Sequence, residues 1–349
     1  MFRLRTRRGF CSGSAAASIA LSVGSGRAEE RSAQTDSDWE VFKGRYIRPD
    51  GRVIDTGNQG VSHSEGQGYG MFFASTFNDQ AVFEQIWSWT RDTLRHRGDA
   101  LSSWRWVPTQ PHITDTNNAS DGDLMIAWAL RRGGILWQRP DYIDAARAIL
   151  ADLASRCVRK VGSRTVFLPA MKGFDRSKIT IINLSYYLMP ALGRAASLDP
   201  NGPWRALMET GTQLIQASRF GLWGLPPDWL SIDKKSERIA PAPGFPARFS
   251  YDAIRIPLYL KWSKRMVPSL TQSLLAVSQN WSMADLPAWV DLNTGERSPY
   301  AAPPGFRAVY QFALHGADAL PILPSVKDSA DYYSSSLTLL ARIAAMEMV

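Results

Sequence analysis

Helical periodicity runs through this chain almost without interruption, and it limits the possible folds more than any other feature. Apolar residues recur at helical spacing over residues 38–46, 67–77, 79–96, 122–132, 141–159, 184–196, 203–218, 256–266, 269–282, 306–315 and 331–348, while alternating strand patterns are scarce. Eleven such segments with no tandem repeat fit an all-α domain, a closed ring of helical hairpins. In such a ring the inner helices are apolar nearly all round and the outer ones keep a polar face. The stretches "GDLMIAWAL" (122–130) and "NLSYYLMPAL" (183–192) have the inner character, and "DYIDAARAILADLASR" (141–156) suits the outside. Two connections, 98–119 and 220–250, are long and rich in Pro, Gly and Trp. Long ordered loops of that kind build binding surface.

Residues 1–28 stand apart. Arg3, Arg5, Arg7 and Arg8 precede a small apolar run, and the segment ends at Ala28, the pattern of an export signal; "TRRGF" (6–10) also resembles a twin-arginine leader. Removing its five arginines takes the formal charge from +8 to +3, so the high isoelectric point is no argument for nucleic acid. Residues 29–349 then form one expected catalytic domain, exported to the periplasm or the medium. They contain no apolar stretch of membrane-spanning length. Cys157 is the only cysteine left, which excludes an internal disulfide.

The chemistry narrows by residue type. The four histidines, His63, His96, His112 and His315, show no metal-ligand spacing, and the chain has no Gly-x-Ser-x-Gly elbow and no dinucleotide fingerprint. Neither metal nor cofactor is expected. Three carboxylates sit where apolar helical runs begin: Glu65 in "SHSEGQGYGM" (62–71), Asp121 in "NNASDGDLMIAWAL" (117–130) and Asp252 in "RFSYDAIRIPLYLKW" (248–262). Helix capping would explain each singly. Together, flanked by aromatic residues and placed at one end of a ring, they would line a cleft. Carboxylate pairs among aromatic rings suit glycoside hydrolysis. The candidate rings are Trp104, Trp106, Trp223, Trp229, Tyr187 and Tyr251. A general acid at Glu65 needs packing from Tyr69 or Phe72, or a nearby Asp121, to outweigh the helix dipole. Asp252 is followed three positions later by Arg255, which is placed to keep it ionised.

These three stretches resemble the motifs of glycoside hydrolase family 8, most closely the endoglucanases that accompany bacterial cellulose synthase. The resemblance spans residues 39–340 and includes "PDGRVIDTGNQG", "NLSYYLMPAL", "FGLWGLPPDWL" and "DYYSSSLTLL". It implies an (α/α)6 barrel and inverting endo-attack on β-1,4-glucan. Within it Glu65 corresponds to the proton donor, Asp252 to the proposed base, and Asp121 to a binder and distorter of the sugar at the cleavage point. Tyr187 and Arg255 correspond to helpers that hold the water and the base. The chain departs from the family pattern at Arg131-Arg132-Gly133, where an apolar residue and then an alanine are favoured. The implied partners are β-1,4-glucan and, functionally, a cellulose synthase complex. Two other readings stay open: the same scaffold acting on chitosan, mixed-linkage glucan or xylan, and a non-catalytic glucan-binding partner of the secretion machinery.

Overall fold

The computed structural model describes residues 34–348, so the leader read over residues 1–28 lies outside the described residues. Eleven α-helices occur among them. They are α1 (34–46), α2 (Ser64–Thr76), α3 (Gln80–Leu94), α4 (Ser120–Leu136), α5 (Pro140–Cys157) and α6 (Met189–Leu198), then α7 (Trp204–Ala217), α8 (Arg255–Trp262), α9 (Pro268–Asn280), α10 (Pro304–His315) and α11 (Tyr332–Met346).

Burial alternates along this order. In α2 every residue but Glu65 and Thr76 is buried, and in α4 the run from Ser120 to Leu130 is buried without a break. The next helix in each case buries one stripe: Phe83, Ile86, Thr90 and Leu94 on α3, and Tyr142, Ala146, Ile149 and Leu153 on α5. Even-numbered helices and α11 therefore form the inner wall, and odd-numbered ones up to α9 cover it. A 3-10 segment, Gly316–Ile322, takes the place of the sixth outer helix between α10 and α11. This is the (α/α)6 barrel expected from the sequence, with one outer stave reduced to a short turn.

Neighbouring inner helices approach closely because glycines line their contacts. A Cβ at Gly68 would lie 2.9 Å from Met125 Cβ, and one at Gly122 would lie 2.6 Å from the Glu65 amide nitrogen. The α2–α4 crossing thus depends on residues without side chains. One contiguous apolar core runs from Trp39 to Ala345. Asp38 of α1 pairs with Arg342 of α11 at 2.9 Å, both buried, and the Phe42 and Tyr46 rings pack on Tyr332.

Several boundaries differ from the sequence reading. The segment 184–196 is not one helix: Leu184–Tyr186 forms a 3-10 turn, and α6 starts at Met189 with Pro190 in its first turn. Proline fits a first turn but not a helix interior, so the chain breaks ahead of it. Helix α2 begins three residues earlier than expected, which puts Glu65 in its first turn. Arg132 does not interrupt α4; it pairs with Glu347 at 2.7 Å and lies over the Phe72 ring. Strands exist but are short. They are β1 (Ser62–His63) with β2 (Arg105–Trp106), β3 (Val158–Val161) with β4 (Arg164–Phe167), β5 (Ile179–Ile182) with β6 (Leu230–Asp233) and β7 (Ile239–Pro241), and β8 (Arg248–Phe249) with β9 (Val290–Asp291). All pairings are antiparallel, and they brace the loops that carry the site.

Candidate active site

Glu65, Asp121 and Asp252 come together on one guanidinium. Arg255 Nη1 bonds Glu65 Oε1 and lies 3.3 Å from Asp121 Oδ2, while Arg255 Nη2 donates to Asp252 Oδ1 at 2.5 Å. Three elements supply the acids: the first turn of α2, the first turn of α4, and a turn over residues 251–254 just before α8. None is used as a helix cap. The residues ahead of α2, α4 and α8 are His63, Ala119 and Ile254, and none makes a side-chain cap. The helix ends therefore aim the carboxylates without consuming them.

Hydrogen bonds fix the set further. Tyr69, one turn after Glu65, donates its hydroxyl to Glu65 Oε1 at 3.0 Å and meets the Tyr259 hydroxyl at 3.1 Å. Asp228, which sequence reasoning missed, accepts the Ser250 and Ala253 amides at 3.0 and 2.8 Å and so clamps the turn holding Asp252. Its only signal was an acid after two prolines inside the long 220–250 loop.

Electrostatics separate the acids. Burial, then the neighbouring Asp252 charge, raises the Asp121 carboxyl to about 8, opposed by the Gly122 amide. Burial also raises Asp252, while the Asn183 amide and the Trp229 indole pull it back. Asp228 is raised by burial and by Asp252. Burial, with Arg105 nearby, depresses His63 to about 4, so its imidazole is neutral at pH 7.

The acids lie between two cavities. One, of about 600 Å³, is lined by Asp55, His63, Glu65, Tyr251, Asp252 and Tyr333 among others. The second, of about 290 Å³, is lined by Trp104, Asn117, Phe174, Tyr186 and Trp229 among others. They meet at Arg255, which lines the first and stands 5.6 Å over the Tyr186 ring of the second. Trp229 stacks on Phe245, outside the cavity lining, at 4.5 Å and 18°, and runs nearly parallel to Phe174, which lines the same cavity, at 5.6 Å and 8°. Trp104 is bonded through its indole to Asp115 at 2.9 Å. Flat rings held from behind in this way suit stacking on sugar faces.

Three expected ring positions fall elsewhere. Tyr187 is buried away from the acids: its hydroxyl accepts the Phe167 amide at 2.8 Å and its ring packs on Phe167. The adjacent Tyr186 faces the site instead, because the 3-10 turn over Leu184–Tyr186 reverses which side chain points inward. Trp106 is occupied by its own neighbours, with Arg52 over its ring at 4.5 Å and His112 stacked at 4.6 Å. Trp223 packs on Trp281 at 5.0 Å, outside both cavities. No group of three or more His, Cys, Asp or Glu suited to a metal ion occurs among the described residues.

Carboxylates converging between ring-lined cavities in a helical barrel define a glycoside-cleaving class of protein, and comparison with known proteins agrees. The chain matches the profile described as "Glycosyl hydrolases family 8" over residues 15–347 and belongs to that family. It is 48% identical over 310 residues, 88% of this chain and 90% of the relative, to a probable endoglucanase of Novacetimonas hansenii. It is 38% identical to an endoglucanase of Cellulomonas uda, covering 81% of this chain and 78% of the relative. The solved structure of the endo-β-1,4-glucanase CMCax from Acetobacter xylinum superposes with a TM-score of 0.86 at 46% identity, covering 90% of this chain and 99% of that one.

Proposed function

We propose that this chain is an inverting endo-1,4-β-D-glucanase that hydrolyses cellulose or nascent bacterial cellulose strands after export. The observation that carries the reading is the meeting of Glu65, Asp121 and Asp252 on Arg255 between two ring-lined cavities. The relatives named endoglucanase support the substrate class.

Glu65 serves as general acid, protonating the glycosidic oxygen as the bond breaks. Tyr69 holds its carboxyl at the head of α2. Asp252 takes a proton from water that attacks the anomeric carbon from the opposite face. Asp121, neutral at pH 7 with its carboxyl raised to about 8, donates a hydrogen bond to the sugar at the cleavage point and holds it toward an oxocarbenium-like shape. Arg255 pairs with both Asp252 and Glu65 and so ties the base to the acid. The partner is the glucan strand, with a cellulose synthase complex as its source where the enzyme trims nascent polymer.

Product analysis on cello-oligosaccharides with anomer-resolved NMR tests the reading. Cleavage should give the α-anomer first, with mid-chain products. Glu65→Gln should lower kcat by about 10⁴ or more while leaving the fold intact, since no proton reaches the leaving oxygen. Initial β-anomer would refute inversion, and brisk cleavage of xylan or chitosan with inert cellulose would move the substrate to another β-1,4-glycan.

A further inference from the structure

A third cavity, of about 530 Å³, lies outside the site described above, between the end of α9 and the strand-like segment over residues 297–301. Trp281, Asp285, Arg297 and Tyr300 line it. Its chemistry resembles that of the cleft, with aromatic faces among groups that exchange hydrogen bonds. The Trp281 indole is half-buried and backed by Trp223 at 5.0 Å and 58°. The Arg297 guanidinium stands 5.8 Å from the Trp281 ring, and Tyr300 is 52% exposed. Asp285 accepts the Ser282 hydroxyl at 2.7 Å and turns its carboxylate toward the same rim.

The wall is built rather than floppy. The Ala302 amide bonds Leu286 O at 2.6 Å, the Ser298 amide bonds Trp289 O at 3.0 Å, and the Ser298 hydroxyl accepts the Ala288 amide at 2.8 Å. Bridges join Pro287 to Ala301 and Val290 to Arg297. A preformed wall binds with little ordering cost. It also adjoins the catalytic cleft, because the Tyr300 phenol lies beside that of Tyr251, which lines the cavity holding Glu65 and Asp252. Tyr251 thus lines one space and Tyr300 the other. Core packing accounts for Trp223 and for the inner edge of Trp281, and it leaves the exposed Tyr300 beside a cation and an acid.

We propose that the cavity of Trp281, Arg297 and Tyr300 is a second glucan-binding site, which holds the polymer where it runs on past Tyr251 and out of the catalytic cleft. The Trp281 and Tyr300 rings stack on sugar faces, and Arg297 and Asp285 hydrogen-bond the ring hydroxyls. A chain of a few sugars fills the cleft and never reaches this site, so its contribution grows with polymer length. The inference rests on the glucanase reading.

Binding in the inactive Glu65→Gln background tests it, with hydroxyethylcellulose as long ligand and cellotetraose as short one. Trp281→Ala with Tyr300→Ala should weaken hydroxyethylcellulose binding about tenfold, the worth of losing stacked aromatic contact, and change cellotetraose binding less than twofold. Because Trp281 packs on Trp223, Arg297→Ala with Tyr300→Phe is made in parallel, and it should weaken only the polymer, several-fold. Unaltered polymer affinity in both variants would overturn the site. Equal loss for polymer and tetramer would also overturn it, since the effect would then pass through the cleft. Failure of the Glu65→Gln parent to bind either ligand would remove the glucanase reading, and the site with it.

Discussion

A lysine in place of Arg255 would keep the charge and lose the fork. Arg255 is 3% exposed and meets three carboxylates with two terminal nitrogens, a geometry that a single ammonium cannot copy. Arg255→Lys should therefore fold normally by circular dichroism and lower kcat/KM on a soluble cellulose derivative by about 100-fold, or about 2.7 kcal/mol. Near wild-type turnover would show that the convergence is incidental. The three acids and Arg255 were legible in the sequence because each stands beside an inner-helix pattern whose start is sharply marked. Tyr186 was not. It and Tyr187 are identical in type and adjacent, and only the 3-10 turn decides which one enters the site. Asp228 was missed for a related reason, since it acts through backbone amides of a loop that has no period to read.

At the scale of elements, the distance between helices sets the chemistry. Gly122 lets α4 rest on the backbone at Ser64 and Glu65; a methyl there would lie 2.4 Å from Ser64 Oγ and 2.8 Å from Ser64 carbonyl carbon. Backbone cannot move aside as a flexible side chain can. Gly122→Ala should cost about 1–3 kcal/mol in denaturant unfolding and lower activity by more than the stability loss explains, because Glu65 and Asp121 shift apart. Equal activity per folded molecule would contradict this. Outer helices were readable to within a few residues because burial repeats with helical period along them, and the inner α2 and α4 were readable as unbroken apolar runs. The short strands were not, since pairs such as Ser62–His63 with Arg105–Trp106 are too brief to alternate and owe their form to the loops they join.

For the whole molecule, buried acids link stability to pH. Burial raises Asp121 to about 8 and Asp123 to about 7. Both titrate near pH 4 in an unfolded chain. The folded form then holds protons that the unfolded form has released, so this contribution is full below about pH 4 and is lost as pH rises through 7 and 8. His63, depressed to about 4, works the other way, and its contribution is complete above about pH 6.5. Calorimetry should accordingly show Tm falling from about pH 6.5 to about 8, with stability lost at no more than about 1.4 kcal/mol per pH unit for each proton. Asp121→Asn should flatten the slope, and a Tm that rises across this window would refute the linkage. The buried Asp38–Arg342 pair has a different reach. It works as a clasp between α1 and α11, so the barrel cannot shut until α11 has followed the other helices off the ribosome. Until then α1 waits without its partner, and trimming α11 from the finished protein would leave the ring unfastened.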